Sequence, residues 1–151
     1  MKKKTYDVFP TPKNLGKRPW GSETLLVLIP KILTLKLLKI KKGKQGGLQY
    51  HRKKNECGYL ISGKLQITYE NKYGKLVKKI VTRGKTFHFQ PGFIHQEKAL
   101  TDCQIIEASS PHFNDRVRVE KKFGLKIKEG LPTTKKIDLK FLWWNIDNNL
   151  I

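Results

Sequence analysis

Two stretches decide the fold, GLQYHRKKNE at residues 47–56 and PGFIH at residues 91–95. Each begins with glycine or proline, the residues that favour turns, and each carries a histidine, His51 in the first and His95 in the second. Both stretches lie among short apolar segments that resemble strands. If the two pair in one barrel, the two imidazoles meet at a common point, which predicts a site built from distant parts of the chain.

The residues around these histidines are typical of a metal site. On a strand, side chains two positions apart share a face, so Gln49, His51 and Lys53 are predicted to point the same way, with Glu56 at the start of the next run. With His95 nearby, two imidazoles, a carboxylate and an amide oxygen surround one point. This donor set suits Zn²⁺, Mn²⁺, Fe²⁺ or Co²⁺ better than Ca²⁺ or Mg²⁺.

The rest of the chain predicts strand after strand. Leu65, Ile67 and Tyr69 alternate with polar residues, which indicates a strand with one buried face, and residues 71–74 form a turn. Further strands are predicted at residues 25–29, 32–40, 48–52, 76–81, 87–89, 93–96, 103–108 and 117–119. Many short strands separated by Gly and Pro turns favour an all-β sandwich or closed barrel.

The predicted organisation is a single domain with two extensions. Residues 1–17 form an N-terminal arm, residues 18–125 the barrel, and residues 126–151 a C-terminal extension with an aromatic tail. That tail, FLWW at residues 141–144, is too apolar to remain in water, so we expect it to dock on the barrel or on a second copy in a homodimer. Trp20 is expected to plug one end of the barrel.

The charge balance favours an anionic small molecule as partner. Lys and Arg number 32 against 12 Asp and Glu, for a formal net charge of +20, and such a charge attracts anions over long distances. The lysines are scattered from Lys2 to Lys140, as on solvated faces, and no aromatic and basic strip of the kind that single-strand binders use is apparent. Nucleic-acid binding is therefore not expected.

The cysteines and the apolar stretches predict a soluble cytoplasmic protein. Cys57 and Cys103 show no CxxC spacing and do not suggest a disulfide scaffold. The most apolar region, residues 25–40, is interrupted by Pro30 and three lysines, well short of the roughly 20 apolar residues of a membrane helix. No membrane partner is expected.

Taken together, these segments resemble the cupin superfamily, and within it the type II mannose-6-phosphate isomerase domain that is often fused to mannose-1-phosphate guanylyltransferase. The resemblance rests on six blocks in register over about residues 17–125. They are RPWGS at 18–22, LQYH at 48–51, Glu56 with Gly63, PGFIH at 91–95, IEAS at 106–109 and DRVRVEKKFG at 115–124. It implies a single cupin barrel, that is, a double-stranded β-helix or jelly roll.

The resemblance makes Gln49, His51, Glu56 and His95 the metal ligands. The family has a second histidine at the position of Lys53, and a protonated lysine does not ligate a cation. Three interpretations stay open: the site uses the other four ligands, Lys53 turns outward to bind a substrate phosphate, or the metal is lost.

The resemblance also implies a metal-dependent isomerase or epimerase of a sugar phosphate or nucleotide sugar. Glu107, Lys53 or His88 is expected to serve as the catalytic base, and the spacing does not choose among them. Arg118, with Lys53, is expected to bind an anionic group of the substrate. The alternative is a non-catalytic cupin that binds a sugar or another small ligand. An iron-dependent dioxygenase, which usually has three histidines, is disfavoured by Lys53.

Overall fold

The computed structural model describes residues 8–113 and 115–126. Within them the chain forms eleven strands and a short 3₁₀ helix. The strands are β1 (Lys13–Arg18), β2 (Gly21–Ile29), β3 (Leu33–Ile40), β4 (Gln49–His51), β5 (Glu56–Ser62), β6 (Lys64–Glu70), β7 (Leu76–Thr82), β8 (Thr86–Phe89), β9 (His95–Ala99), β10 (Cys103–Ser109) and β11 (Arg116–Arg118). The 3₁₀ helix spans Glu120–Phe123, and no helix of the described part is long and apolar enough to cross a membrane.

The strands form two antiparallel sheets. The order is β1-β2-β3-β10-β5-β8 in the six-stranded sheet and β11-β4-β9-β6-β7 in the five-stranded sheet. Strands distant in sequence are neighbours, for example β3 with β10 and β4 with β9, as in a jelly roll. The prediction of an all-β single barrel of the cupin type is confirmed.

The apolar core lies between the two sheets and is built from the side chains that point inward, at every second position along the strands. Leu60 of β5, Leu65 of β6 and Ile105 of β10 are fully buried, and each contributes on the order of 2 kcal/mol through burial. Trp20 belongs to the same cluster, as expected for a residue that closes the barrel. The apolar cluster leaves the remaining interior to polar side chains.

Several details differ from the sequence-based expectations. Residues 13–17, predicted as part of an arm, belong to β1, which pairs with β2. The strand predicted at residues 93–96 begins only at His95, because Phe93 still belongs to the turn and donates its N–H to Gln90. The C-terminal extension beyond Lys126, with its aromatic tail, lies outside the described residues.

Candidate metal centre

A polar cavity lies inside the barrel, between β4 and β9 of one sheet and β5 and β10 of the other. It has a volume of about 70 Å³, room for a few water molecules. We call it the barrel cavity. Its polar lining consists of Glu23, Lys36, Gln49, His51, Lys54, Glu56, Glu97, Glu107, His112 and Arg116.

The strand register brings the four predicted ligands together beside this cavity. Gln49 of β4 is the direct partner of His95 of β9. His51 follows Gln49 on the same face, and Glu56 lies on the inward face of β5 in the opposite sheet. Glu56 Oε1 is 3.6 Å from His51 Nε2 and 3.1 Å from His95 Nε2. Ligand atoms of the two histidines and Glu56 all lie within 4.8 Å of one another, close enough to share one ion.

Asp115 fixes the orientation of the first imidazole. Its Oδ1 is 2.8 Å from His51 Nδ1, and its Oδ2 accepts the backbone N–H groups of Lys53 and Lys54, each at 2.7 Å. Burial favours a neutral Asp115, but these hydrogen bonds outweigh it and lower the pKa of the carboxyl. The carboxylate accepts from His51 Nδ1, so Nε2 keeps its lone pair toward Glu56, as in the carboxylate–histidine pairs of metal sites.

A backbone carbonyl orients the second imidazole, that of His95, in the same way, through its Nδ1 atom. His95 Nδ1 is 2.9 Å from the carbonyl oxygen of Phe93 and donates to it, because a carbonyl can only accept. Phe89 stacks on the ring, with centroids 3.9 Å apart. His95 Nε2 therefore presents a lone pair, and it is buried without a hydrogen bond despite its closeness to Glu56. The two imidazoles are thus both oriented as ligands.

Two orphaned polar atoms show that the donor set fits a metal ion. His95 Nε2 and Gln49 Oε1 are both buried and neither has a hydrogen-bond partner. Buried polar atoms without a partner are rare, because losing hydration without replacement is unfavourable. A divalent ion among His51, Glu56, His95 and Gln49 would satisfy both atoms with ligands that such ions prefer.

Lys54 contacts the same carboxylate from the other side. Its Nζ donates to Glu56 Oε2 and, at 3.0 Å, to Glu107 Oε1. Burial would lower the pKa of Lys54, but the charges of Glu107 and Glu56 outweigh it and raise that pKa. Lys54 is therefore a permanent cation, and Glu56 holds it through one oxygen while the other oxygen faces the two histidines.

Burial and neighbouring charges shift the pKa values of the ionisable groups in the cluster in different directions. Burial raises the pKa of Glu56, but the charge of Lys54 prevails and holds it well below the usual range. Burial lowers the pKa of His51, so its ring is neutral near pH 7. For His95 burial would lower the pKa, but the neighbouring Glu56 outweighs it and raises the pKa. Burial raises the pKa of Glu97 to about 7.

Comparison with known proteins yields structural neighbours only. No family model matches the chain, and no curated protein matches it significantly. The capsular polysaccharide assembling protein CapF from Staphylococcus aureus superposes with a TM-score of 0.64 at 20% identity, over 75% of this chain and 33% of CapF. KdgF from Halomonas sp. superposes with a TM-score of 0.53 at 21% identity, over 71% of this chain and 86% of KdgF. The chain has the cupin fold. It spans about a third of the length of CapF.

Within this cupin barrel, two of the predicted catalytic residues lie away from the cavity. The prediction that Lys53 shares the face of Gln49 and His51 is wrong, because β4 ends at His51 and Lys53 is exposed in the following loop. His88 is also exposed, and its Nε2 is 2.6 Å from Asn55 Oδ1. It lines a larger depression of about 490 Å³ on the outer face of the six-stranded sheet, since it alternates with the inward Phe89.

The other two predicted residues divide between cavity and rim. Glu107 lines the barrel cavity and contacts Lys54. Arg118 does not line the cavity. Its Nε donates to Glu120 Oε1 at 2.7 Å, and its guanidinium packs against Gly47. A Cβ on Gly47 would lie 2.3 Å from Arg118 Nε, so that glycine is needed for the packing.

Sequence reasoning missed several groups that the structure brings to the cavity. Glu97 lines it because it shares the inward face of β9 with His95, two residues earlier. Arg116 lines it because it pairs directly with His51 across β11 and β4. Glu97 could have been found from strand alternation counted outward from His95, and Arg116 from alternation with Arg118 on the same strand. Lys54 and Asp115 follow from a loop conformation that the sequence pattern does not specify.

Proposed function

We propose that the chain is a metal-dependent cupin enzyme that isomerises or epimerises a sugar phosphate or nucleotide sugar, similar to type II mannose-6-phosphate isomerase. The observation that carries the proposal is the convergence of oriented, unsatisfied ligand atoms beside the barrel cavity. His51 and His95 present Nε2 toward Glu56 Oε1, and Gln49 Oε1 is buried without a partner.

Such a reaction moves a proton on a carbon next to a carbonyl group. A divalent ion at this cluster would supply Lewis acidity toward the sugar oxygens. Glu107 is the geometric candidate for the base that removes and returns the proton, because its carboxylate lines the cavity. The Lys54 ammonium, in contact with Glu107 and Glu56, is placed to stabilise negative charge that develops on the substrate oxygen.

A sugar as substrate class is supported by the neighbour with the larger TM-score. CapF is described as a capsular polysaccharide assembling protein, and capsular polysaccharides are built from sugars. Because the barrel corresponds to a third of CapF and cupins host many chemistries, the proposal relies on the residues of the cavity and takes only the substrate class from the neighbour.

The test is solvent exchange at carbon. Metal-loaded protein is incubated in D₂O with mannose 6-phosphate, other sugar phosphates and nucleotide sugars. Proton NMR then follows the signal of the hydrogen on the carbon adjacent to the carbonyl carbon. We expect loss of that signal with wild type and His88→Asn, and at least ~100-fold slower loss with His95→Asn and Glu107→Gln. His88→Asn is the matched control, because it removes an imidazole outside the cavity. Exchange that survives in His95→Asn would contradict the proposed site.

A second function is favoured by one observation, the ammonium of Lys54 on Glu56. A permanent cation next to the predicted ligands opposes a second positive charge, which favours a cupin that binds a sugar without metal and without catalysis. Elemental analysis of the loaded protein separates the two. About one transition metal per chain supports the enzyme, and none after loading supports the binding protein.

A further inference from the structure

Arg116 is half-buried and presents a guanidinium without a hydrogen-bonded protein partner to the barrel cavity. Its Nε and Nη1 atoms are buried and make no hydrogen bond. In the sheet Arg116 lies directly opposite His51, and residues directly opposite one another on paired strands point to the same face. Since His51 points into the barrel, Arg116 does so as well, and it lines the cavity.

The other cations that line the cavity are already paired. Lys36 Nζ is 2.6 Å from Glu23 Oε1, and Lys54 is held by Glu56 and Glu107. Arg116 makes no ion pair within 4.0 Å with any described carboxylate. A largely buried guanidinium without a counterion in contact is unfavourable, and the fork of an arginine matches carboxylate and phosphate oxygens. The arrangement is typical of a receptor for an anion that comes with the ligand.

Arg118, two residues further along the same strand, does not offer the same opportunity. Its guanidinium is engaged by Glu120 and lies over Gly47. Glu120 in turn accepts the backbone N–H of Leu48 at 3.1 Å. Arg118 therefore closes the edge between β11 and the loop before β4, and Arg116 is the arginine with free donors.

We propose that Arg116 binds the anionic group of the ligand, a carboxylate or a phosphate on a sugar, and so fixes the ligand's orientation at the metal cluster. The inference rests on the proposed function for the sugar class, but not for the anion. The volume of about 70 Å³ admits one such group and little more.

Calorimetric titration with matched sugars tests the proposal. The probes are D-mannose 6-phosphate, D-glucuronate and uncharged D-mannose, added to wild type and to Arg116→Gln and Arg83→Gln variants. Arg83 is exposed and outside the cavity, so Arg83→Gln controls for the loss of one positive charge. We expect saturable binding of at least one anionic sugar, about 10- to 100-fold weaker in Arg116→Gln and within about twofold of wild type in Arg83→Gln. Whichever anionic sugar binds identifies the group.

Three results would overturn the proposal: wild-type affinity in Arg116→Gln, equal affinity for mannose and the anionic sugars, or no binding of either anion. Circular dichroism checks that Arg116→Gln is folded. If it does not fold, wild type is treated with phenylglyoxal and mapped by mass spectrometry. Protection of Arg116 by the anionic sugar supports the proposal, and equal modification with and without sugar refutes it.

Metal analysis of the same samples separates this proposal from the proposed function. If the chain takes up no metal but binds the anionic sugar through Arg116, the proposed enzymatic function is wrong and the proposed anion site is supported. If the chain takes up metal and Arg116→Gln leaves sugar binding unchanged, only the proposed anion site at Arg116 is wrong.

Discussion

Replacing Lys54 with methionine should strongly destabilise the metal-free protein. Lys54 is 8% exposed and Glu56 6%, and the Lys54 ammonium is the shared partner of Glu56 and Glu107. Methionine fills similar space but leaves both carboxylates facing each other in a poorly hydrated interior. Removing one partner of a buried ion pair costs about 3–5 kcal/mol because the remaining charge is uncompensated.

A second argument gives a magnitude of the same order. An uncompensated carboxyl can escape its charge by taking up a proton. Protonating a carboxyl with the ordinary pKa of 4.5 at pH 7 costs about 3.5 kcal/mol, at about 1.4 kcal/mol for each pH unit. Protonation of one of the two carboxyls would relieve most of the repulsion. We therefore expect a loss of about 3–4 kcal/mol, equivalent to a fall of roughly 10 °C in Tm for a domain of this size.

The assay is urea unfolding followed by circular dichroism, in the presence of EDTA. Lys53→Met is the matched control, because Lys53 is the exposed neighbour and its loss should change the free energy of unfolding by less than about 0.5 kcal/mol. Adding Zn²⁺ should stabilise Lys54→Met more than wild type, since the ion replaces the lost positive charge. If both lysine variants unfold at the same urea concentration, the buried network does not exist as described.

Three further predictions concern the frame of the site. In urea unfolding, Gly63→Ala should lower the free energy of unfolding by more than about 3 kcal/mol and Gly84→Ala by about 1 kcal/mol. Both glycines have positive φ, but a Cβ at Gly63 would lie 2.3 Å from a backbone oxygen, whereas Gly84 has open space around it. Equal losses in the two variants would contradict this explanation. The pKa of Glu23 is lowered to about 2 because Lys36 and Arg18 outweigh its burial, so its contribution of up to about 3 kcal/mol is present above pH 4.5 and lost as the pH falls toward 2; Glu23→Gln should flatten this part of the stability–pH curve, and parallel curves would refute the assignment. Asp115→Asn should weaken Zn²⁺ binding by about 10- to 100-fold in a competition titration with a chelator, and unchanged affinity would mean that Asp115 does not orient the imidazole.

The fold was predictable because its signals are local. The alternation of Leu65, Ile67 and Tyr69 defines β6, and Asn71 with Gly74 defines the following hairpin, in which Asn71 Oδ1 accepts two backbone N–H groups. Each of these features depends on neighbours in sequence and on the turn preferences of Asn and Gly. The barrel class follows from such features repeated along the chain, although β1 and β5 were not among the predicted strands.

The candidate site was only partly predictable, because its details depend on where strands end. Gln49 and His51 point to the same face because both belong to β4. The alternation of side chains does not extend to Lys53, which lies beyond the end of the strand. In the loop, Asp115 gathers the N–H groups of residues 53 and 54 and turns Lys54 inward. That contact spans some sixty residues of sequence, and no local pattern specifies it.

Of the two arginines on β11, only Arg118 is among the residues predicted to bind substrate, and Arg116, two residues earlier, is not. Arg116 and Arg118 share a face by alternation, so periodicity alone assigns both to the interior. Which one has free donors depends on Glu120, which follows the strand and takes Arg118 to the rim. Strand alternation places both arginines on one face, and only their three-dimensional partners distinguish them.

The central claim is that His51, Glu56 and His95 share one divalent ion, and X-ray absorption of the zinc-loaded protein tests it most directly. The account predicts about one zinc per chain, a first shell of nitrogen and oxygen at about 2.0–2.1 Å, and scattering from two imidazole rings that falls to one in His95→Asn. A protein that takes up no stoichiometric zinc, or zinc bound without two imidazoles, would contradict it.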